Sequence, residues 1–360
     1  MKYDCLNSLY NLNGGIITMK KVFALALAAA MALSMVACSS APAEPEVTYK
    51  TGLGAVVEVA PTNETAEAGA SAQITTTIAA VTFDSNDKIV SIDIDAAQQT
   101  ANFDLEGKLA GEIDCRTKAE KQYDYNMKAF MPTAVGEWFE QVEAFEAWAT
   151  GKTLSEVVDM EFTTNGVGYP DTPADEDLKA GCTMSMTAFL EAIQKAYDNA
   201  IATTGVPAKT GLGVEISASV ADEDAAAEKG ASVQINTNMM AVAVDAEGVI
   251  VAAQLDVAQQ KVAFDLDGVA GTTDLRTKVE KEGDYGMLPV SAIGKEYYEQ
   301  SKAFTEWMAG QTVEAVVNMP TYERDASHTA CPDVEDLKAS VSITVGDYLT
   351  ALAEAEVNAH

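Results

Sequence analysis

Residues 73–95 read QITTTIAAVTFDSNDKIVSIDID. Gln73 to Phe83 is rich in Ile, Thr and Val, and Asp84-Ser85-Asn86-Asp87 is a turn. From Ile89 to Asp95 the apolar Val90, Ile92 and Ile94 alternate with Ser91, Asp93 and Asp95. Period-two alternation is the mark of a half-buried strand, and two β-rich runs across a turn predict an antiparallel hairpin. A third strand is expected next, with Ala101, Phe103 and Leu105 on one face.

Working outward, the same text recurs about 160 residues later. Lys50-Thr51-Gly52-Leu53-Gly54 returns as Lys209-Thr210-Gly211-Leu212-Gly213, Asp95, Gln98 and Gln99 as Asp256, Gln259 and Gln260, and Phe103-Asp104-Leu105 as Phe264-Asp265-Leu266. Arg116-Thr117-Lys118, Asp124-Tyr125, Ala144-Phe145 and Trp148 return as Arg276-Thr277-Lys278, Asp284-Tyr285, Ala303-Phe304 and Trp307. A period this long means tandem globular units rather than a solenoid. Two domains are expected, 47–203 and 206–358, joined near Gly205-Val206-Pro207. The second half of each copy is helical in pattern. Val135, Trp138, Phe139, Val142, Phe145, Trp148 and Ala149 fall at helical spacing up to Gly151, and Thr153-x-x-Glu156 is a capping box. Phe189, Leu190, Ile193 and Tyr197 mark an amphipathic closing helix, mirrored by Tyr348, Leu349 and Leu352. Strands first and helices later predict an α+β fold, with an antiparallel sheet followed by packed helices in each copy. Thr-Gly-Leu-Gly, lacking the surroundings of a dinucleotide fingerprint, reads as a turn.

Composition narrows the function. The 360 residues carry 23 Lys+Arg against 55 Asp+Glu, a formal net charge of −32, with 48% hydrophobic residues. That is enough apolar material for a core, and the charge argues against nucleic acid as a partner, because phosphate backbones need clustered cations. Met19-Lys20-Lys21 followed by the apolar run Val22 to Met35 reads as a secretory signal too short to span a bilayer. It ends in Met35-Val36-Ala37-Cys38-Ser39-Ser40, which resembles a bacterial lipoprotein signal and implies lipidation at Cys38. Residues 1–37 are then leader and signal, with translation starting at Met19, and 38–46 an anchor linker. Removing 1–37 takes away Lys2, Lys20, Lys21 and Asp4, leaving 20 basic and 54 acidic residues and a net charge of −34. The remainder is expected on the extracytoplasmic face of the cell membrane, held there by lipid.

Asp177-Leu178-Lys179-Ala180-Gly181-Cys182-Thr183 precedes the closing helix of copy one, and Asp336-Leu337-Lys338-Ala339-Ser340-Val341-Ser342 that of copy two. This resembles the FMN-binding domain family, whose pattern is Asp-x-x-Ser-Gly-Ala-Thr (or Ser) before an amphipathic helix. The resemblance implies FMN as cofactor, Thr183 and Ser342 as flavin-bearing hydroxyls, and Asp177, Gly181 and Asp336 as motif positions. It further implies an electron-transfer flavoprotein or flavin carrier with a redox partner protein, rather than a substrate-converting enzyme. Ala180 and Ala339 depart from the motif's Ser, and Ser340 from its Gly. Without a flavin, Thr183 and Ser342 read as helix N-caps, and the chain as a surface binding or structural lipoprotein of the same fold.

Six of the 20 basic residues outside the leader cluster as Arg116, Lys118 and Lys121 and as Arg276, Lys278 and Lys281. They read either as an anion site, with Arg forking to a phosphate, or as cations that tie down a loop through Asp124 and Tyr125. Trp138, Phe139, Phe145 and Trp148 read as core ahead of a flavin sandwich. Cys115, Cys182 and Cys331 occupy non-equivalent positions, which leaves only a Cys115–Cys182 bridge open. With two His, His328 and His360, no His triad or zinc site is shared by the copies.

Overall fold

A computed structural model describes residues 47–164 and 168–360. The leader, the signal, Cys38 and the linker lie outside the described residues. Val47–His360 forms one compact unit, in which the two sequence copies are halves.

The first half opens with three 14-residue strands, β1 (Tyr49–Thr62), β2 (Ser71–Asp84) and β3 (Ile89–Asn102). They pair antiparallel in the order β3–β2–β1, with Leu53 opposite Ala80 and Ala80 opposite Asp93, and the short strand Ile201–Ala202 adds to β1. Helices α1 (Lys118–Lys121), α2 (Trp138–Ala149) and α3 (Thr187–Asp198) follow. The second half repeats the order with β4 (Lys209–Ala221), β5 (Ser232–Val244), β6 (Ile250–Ala263), α4 (Lys278–Lys281), α5 (Tyr297–Met308) and α6 (Gly346–Asn358). The expected α+β class with antiparallel sheets is the observed one. The Thr153 hydroxyl and Glu156 carboxylate form the expected capping box.

Three strand-level expectations are corrected. Thr-Gly-Leu-Gly is no turn but the start of β1 and β4. A Cβ at Gly52 or Gly54 would overlap the carbonyl oxygens of Ala196 and Ala192, and one at Gly211 or Gly213 those of Ala355 and Ala351. The glycines let a helix backbone lie directly on a strand, a contact no other residue permits. The run from Ile89 onward is one long strand rather than two. It stops at Asn102, and Leu105, expected on its apolar face, is 50% exposed in the turn beyond. Nor is that strand half-buried by simple alternation: Val90 is exposed while Asp95 is buried. A register shift between Thr82 and Phe83 moves Ile89 inward.

The reason is that both faces of each sheet are covered. One face carries helices. In the first half Phe83, Ile92 and Ile94 pack with Trp138, Phe145, Phe189 and Ile193, and in the second Met240, Ile250 and Leu255 pack with Tyr297, Phe304 and Leu352. The other faces meet each other, with Leu53, Ile74 and Ile78 against Leu212, Ile235 and Met239 in one shared core. The layers run helix, sheet, sheet, helix. Helix α2 begins at Trp138, so Val135 lies outside it and is exposed.

Contacts across the shared core recur with the halves exchanged. Phe103 and Phe264 meet edge to face at 5.8 Å. Asp93 accepts from the Leu212 backbone N–H, and Gln254 from that of Leu53. Glu64 donates its N–H to the Gly268 carbonyl and Glu223 to that of Gly107. The Ala270 N–H donates to Asn63 and the Leu109 N–H to Asp222. One bridging hydroxyl has no counterpart: Thr82 bonds both Thr51 and Thr210, and Ala243 stands in its place in the second half.

Candidate functional site

A cleft opens in each half beside the short helix α1 or α4 and the segment before the closing helix, lined from all three strands of the sheet in the first half and from the third strand alone in the second. The first, of about 610 Å³, is lined by Gln98, Lys118, Tyr125, Met127, Trp138, Thr183 and Phe189. The second, of about 720 Å³, is lined by Gln259, Lys278, Tyr285, Met287, Tyr297, Ser342 and Tyr348. These are equivalent positions throughout, and both volumes suit a small organic ligand.

The lysines are positioned by buried carboxylates on the third strand of each half. Asp95 accepts the N–H groups of Ala96 at 2.6 Å and Ala119 at 3.1 Å, and Asp256 those of Val257 at 2.6 Å and Val279 at 3.0 Å. Each carboxylate thus holds the first turn of the short helix against the sheet. Thr117 and Thr277 cap that turn in capping boxes with Glu120 and Glu280. Burial pushes the Asp95 carboxyl up to about 7 and the Asp256 carboxyl up to about 6. The next residue, Lys118 or Lys278, turns into the cleft. Lys118 Nζ lies 5.0 Å from the Tyr125 ring and 5.6 Å from the Trp138 ring, and Lys278 Nζ lies 5.2 Å from Tyr285 and 5.0 Å from Tyr297. Among the described residues neither makes an ion pair. Burial pushes both ammonium groups down to about 8, so each holds its proton at neutral pH and would gain from an anion.

The two candidate hydroxyls also reach the clefts, but not as N-caps. Helix α3 starts at Thr187 behind Met186, and α6 at Gly346 behind Val345, with no side-chain cap at either. Instead Gln141 Oε1 accepts both the N–H of Thr183 at 2.8 Å and its hydroxyl at 3.1 Å. Gln300 does the same for Ser342 at 2.7 and 3.2 Å. The glutamines recur at the spacing of the repeat, a signal available in the sequence whose meaning depends on contacts between helices.

The other motif residues stand apart from the clefts. Asp177 is exposed in the short helix Glu176–Lys179, where Asp175 is the cap, and Asp336 is exposed in the turn Glu335–Leu337. Gly181 faces α2, where a Cβ would come within 2.7 Å of the Ala144 side chain. Arg116 is bound by Asp114 at 3.1 Å and Asp124 at 2.9 Å, and Arg276 by Asp274 at 3.0 Å and Asp284 at 2.9 Å. Their backbone carbonyls accept from Gln99 and Gln260. These arginines close a loop, while the neighbouring lysines face the clefts. Tyr125 and Tyr285 donate to Gln98 and Gln259. Phe145 is fully buried core, whereas Trp138 is core on one side and cleft wall on the other.

The three cysteines Cys115, Cys182 and Cys331 are free, the latter two buried. Among the described residues no group of three or more His, Cys, Asp or Glu is placed to hold a metal, and no helix is long and apolar enough to cross a membrane. Two residues unforeseen from the sequence join the second cleft: Arg324, whose Nη1 donates to the Ser342 carbonyl at 2.9 Å, and His328, which pairs with Asp325 at 2.7 Å.

The fold and clefts therefore define a class: an α+β chain of two back-to-back sheets with a lysine- and aromatic-lined cleft in each half. No protein-family model, no curated protein and no solved structure matches the chain.

Proposed function

We propose that the chain is a lipid-anchored extracytoplasmic flavoprotein that binds FMN in its clefts and works in electron transfer with a redox partner protein. One observation carries the reading. The hydroxyls that the flavin motif singles out, Thr183 and Ser342, line the same clefts as an unpaired lysine and an aromatic wall. FMN offers a planar ring and a phosphate, and these residues supply a stacking surface, a cation and a hydroxyl for them. When bound, the flavin would supply the redox chemistry. The chain's own work is to hold the ring against Tyr125 or Tyr285, the partly exposed rings of the two clefts, and to set the lysine beside the phosphate.

A second reading, a lipid-anchored surface binding or structural protein of the same fold without flavin, is favoured by the stand-off of Asp177, Gly181, Asp336, Arg116 and Arg276 from the clefts. Absorbance of protein purified from its own host separates the two. A flavin band that survives denaturation and is lost in Thr183→Ala or in Ser342→Ala means covalent FMN on that hydroxyl, and one released by denaturation means bound FMN. A colourless preparation that takes up no added FMN leaves the binding or structural lipoprotein. Labelling with a lipid precursor, abolished in Cys38→Ala, tests the anchor.

A further inference from the structure

The two clefts share their frame but not their charge. At the rim of the first stand Glu58 and Glu191, both exposed, and Lys118 is its one cation among the described lining residues. In the second, Ser217 and Thr350 occupy the positions of those two acids in the repeat, and no carboxylate is among the described lining residues. Arg324 and His328 join Lys278 there. Of the acids that flank its lining residues, Asp325 is engaged by Arg324 Nε at 3.3 Å and His328 Nδ1 at 2.7 Å, and Asp347, where the first half has Ala188, acts on Lys278 from beside Tyr348. Arg324 Nη1 is spent on the Ser342 carbonyl, while Nη2 has no partner among the described residues. The rings differ in the same sense. Tyr297 and Tyr348 replace Trp138 and Phe189, which brings phenol hydroxyls into an otherwise apolar wall. The Tyr297 hydroxyl is enclosed beside Tyr348 and makes no well-formed hydrogen bond.

We infer that the halves are specialised: the second cleft selects a planar ring carrying a phosphate monoester, and the first discriminates against that phosphate. A dianionic phosphate gains from a lysine point charge and a guanidinium fork in the second cleft, and it meets two carboxylates in the first. The aromatic walls give both clefts affinity for the ring itself. The inference rests on the reading that the clefts take a planar ligand, but the charge assignment does not depend on the ring being a flavin.

The test is calorimetric titration of the full chain with FMN, riboflavin and phenyl phosphate, in the parent and in Lys118→Met, Lys278→Met and Arg324→Gln. Methionine keeps the packing of the lysine stems, and Arg324→Gln, at a partly exposed side chain, removes one bond to the Ser342 carbonyl and leaves the core intact, so a folded protein is available even where one variant fails. Expected are losses of roughly 10-fold or more for FMN and phenyl phosphate in Lys278→Met and Arg324→Gln, a charge-assisted hydrogen bond being worth about that much. Lys118→Met should change them by less than about twofold, and riboflavin should be indifferent to Arg324→Gln. Equal losses in Lys118→Met and Arg324→Gln, phosphate ligands indifferent to Arg324→Gln, or no binding of phenyl phosphate at all would overturn the inference. Phenyl phosphate bound with Arg324 dependence while neither flavin binds would uphold the charge assignment and sink the flavin reading. FMN and riboflavin bound equally would do the reverse.

Discussion

Where the closing helix of one half meets the opposite half, Lys195 stands at one junction and Glu354 at the other. Lys195 pairs with Glu280 at 2.8 Å and donates to the Ala55 carbonyl. Glu354, its counterpart in the repeat, accepts the Val214 N–H at 2.8 Å but is repelled by Glu120, the counterpart of Glu280. Burial, with that neighbour adding to it, pushes the Glu354 carboxyl up to about 7. The backbone frame is thus kept in duplicate while the side chains set on it have diverged in sign. The glycine strands belong to the duplicated frame, and the junctions and clefts to the diverged part.

The comparison breaks most visibly at the frame. Gly54→Val and Gly213→Val should each cost about 4 kcal/mol or prevent folding, because a side chain collides with helix backbone in both halves. Urea unfolding should give like losses, and tolerance of either one would mean that its helix does not lie on the strand. Next, Phe264→Ala should cost about 3 kcal/mol through a cavity in the shared core. Since that core belongs to both halves, the unfolding curve should stay single when followed by tryptophan fluorescence and by circular dichroism. Separate transitions would mean that the halves fold independently.

The junctions respond to pH. Asp93, Asp95, Asp256 and Glu354 are all raised, first by burial, with Asp95 and Glu354 at about 7 and Asp256 at about 6. Carboxyls in the unfolded chain titrate near about 4. Between about pH 4 and pH 7 the folded chain therefore holds more protons than the unfolded one, and stability falls as pH rises. Glu354→Lys, which would make the second junction like the first, should flatten that slope and add about 1 kcal/mol at pH 7, with little gain at pH 5. An unchanged slope would assign the pH dependence to the other buried carboxyls, Asp93, Asp95, Asp256 and Glu146, which burial also raises. Smallest of all, Lys195→Ala should cost about 0.5 kcal/mol and lose its effect in high salt, as a partly exposed pair does.

Much of the frame was legible from residues that touch their own neighbours. The capping box at Thr153 and the closing helices follow from local pattern and match the structure, and the helix expected from Val135 begins at Trp138. What escaped depends on distant partners. Gly52 and Gly54 look like a turn because glycine pairs usually are one, and only the helix 140 residues away explains them as strand. Asp95 looked like a solvent-facing alternation position until the short helix after Thr117 covered it. In the candidate site the recurring Lys118, Tyr125 and Thr183 come together on the wall of one cleft. The spacing of Arg116 next to Lys118 could not say that Asp114 and Asp124 already hold the arginine while the lysine turns the other way.

The sheet-to-sheet core has a bearing on how such a chain arises. A single half cut at residue 205 would leave Leu53, Ile74, Ile78 and Phe103 bare on one face, and the surface that covers them in this chain is the equivalent face of the second half. The two halves meet as the protomers of an isologous dimer do, within one polypeptide. A homodimer must change both of its clefts with every mutation. Joined in tandem, the halves are free of that identity, and the positions that hold Glu58 and Glu191 in one hold Ser217 and Thr350 in the other.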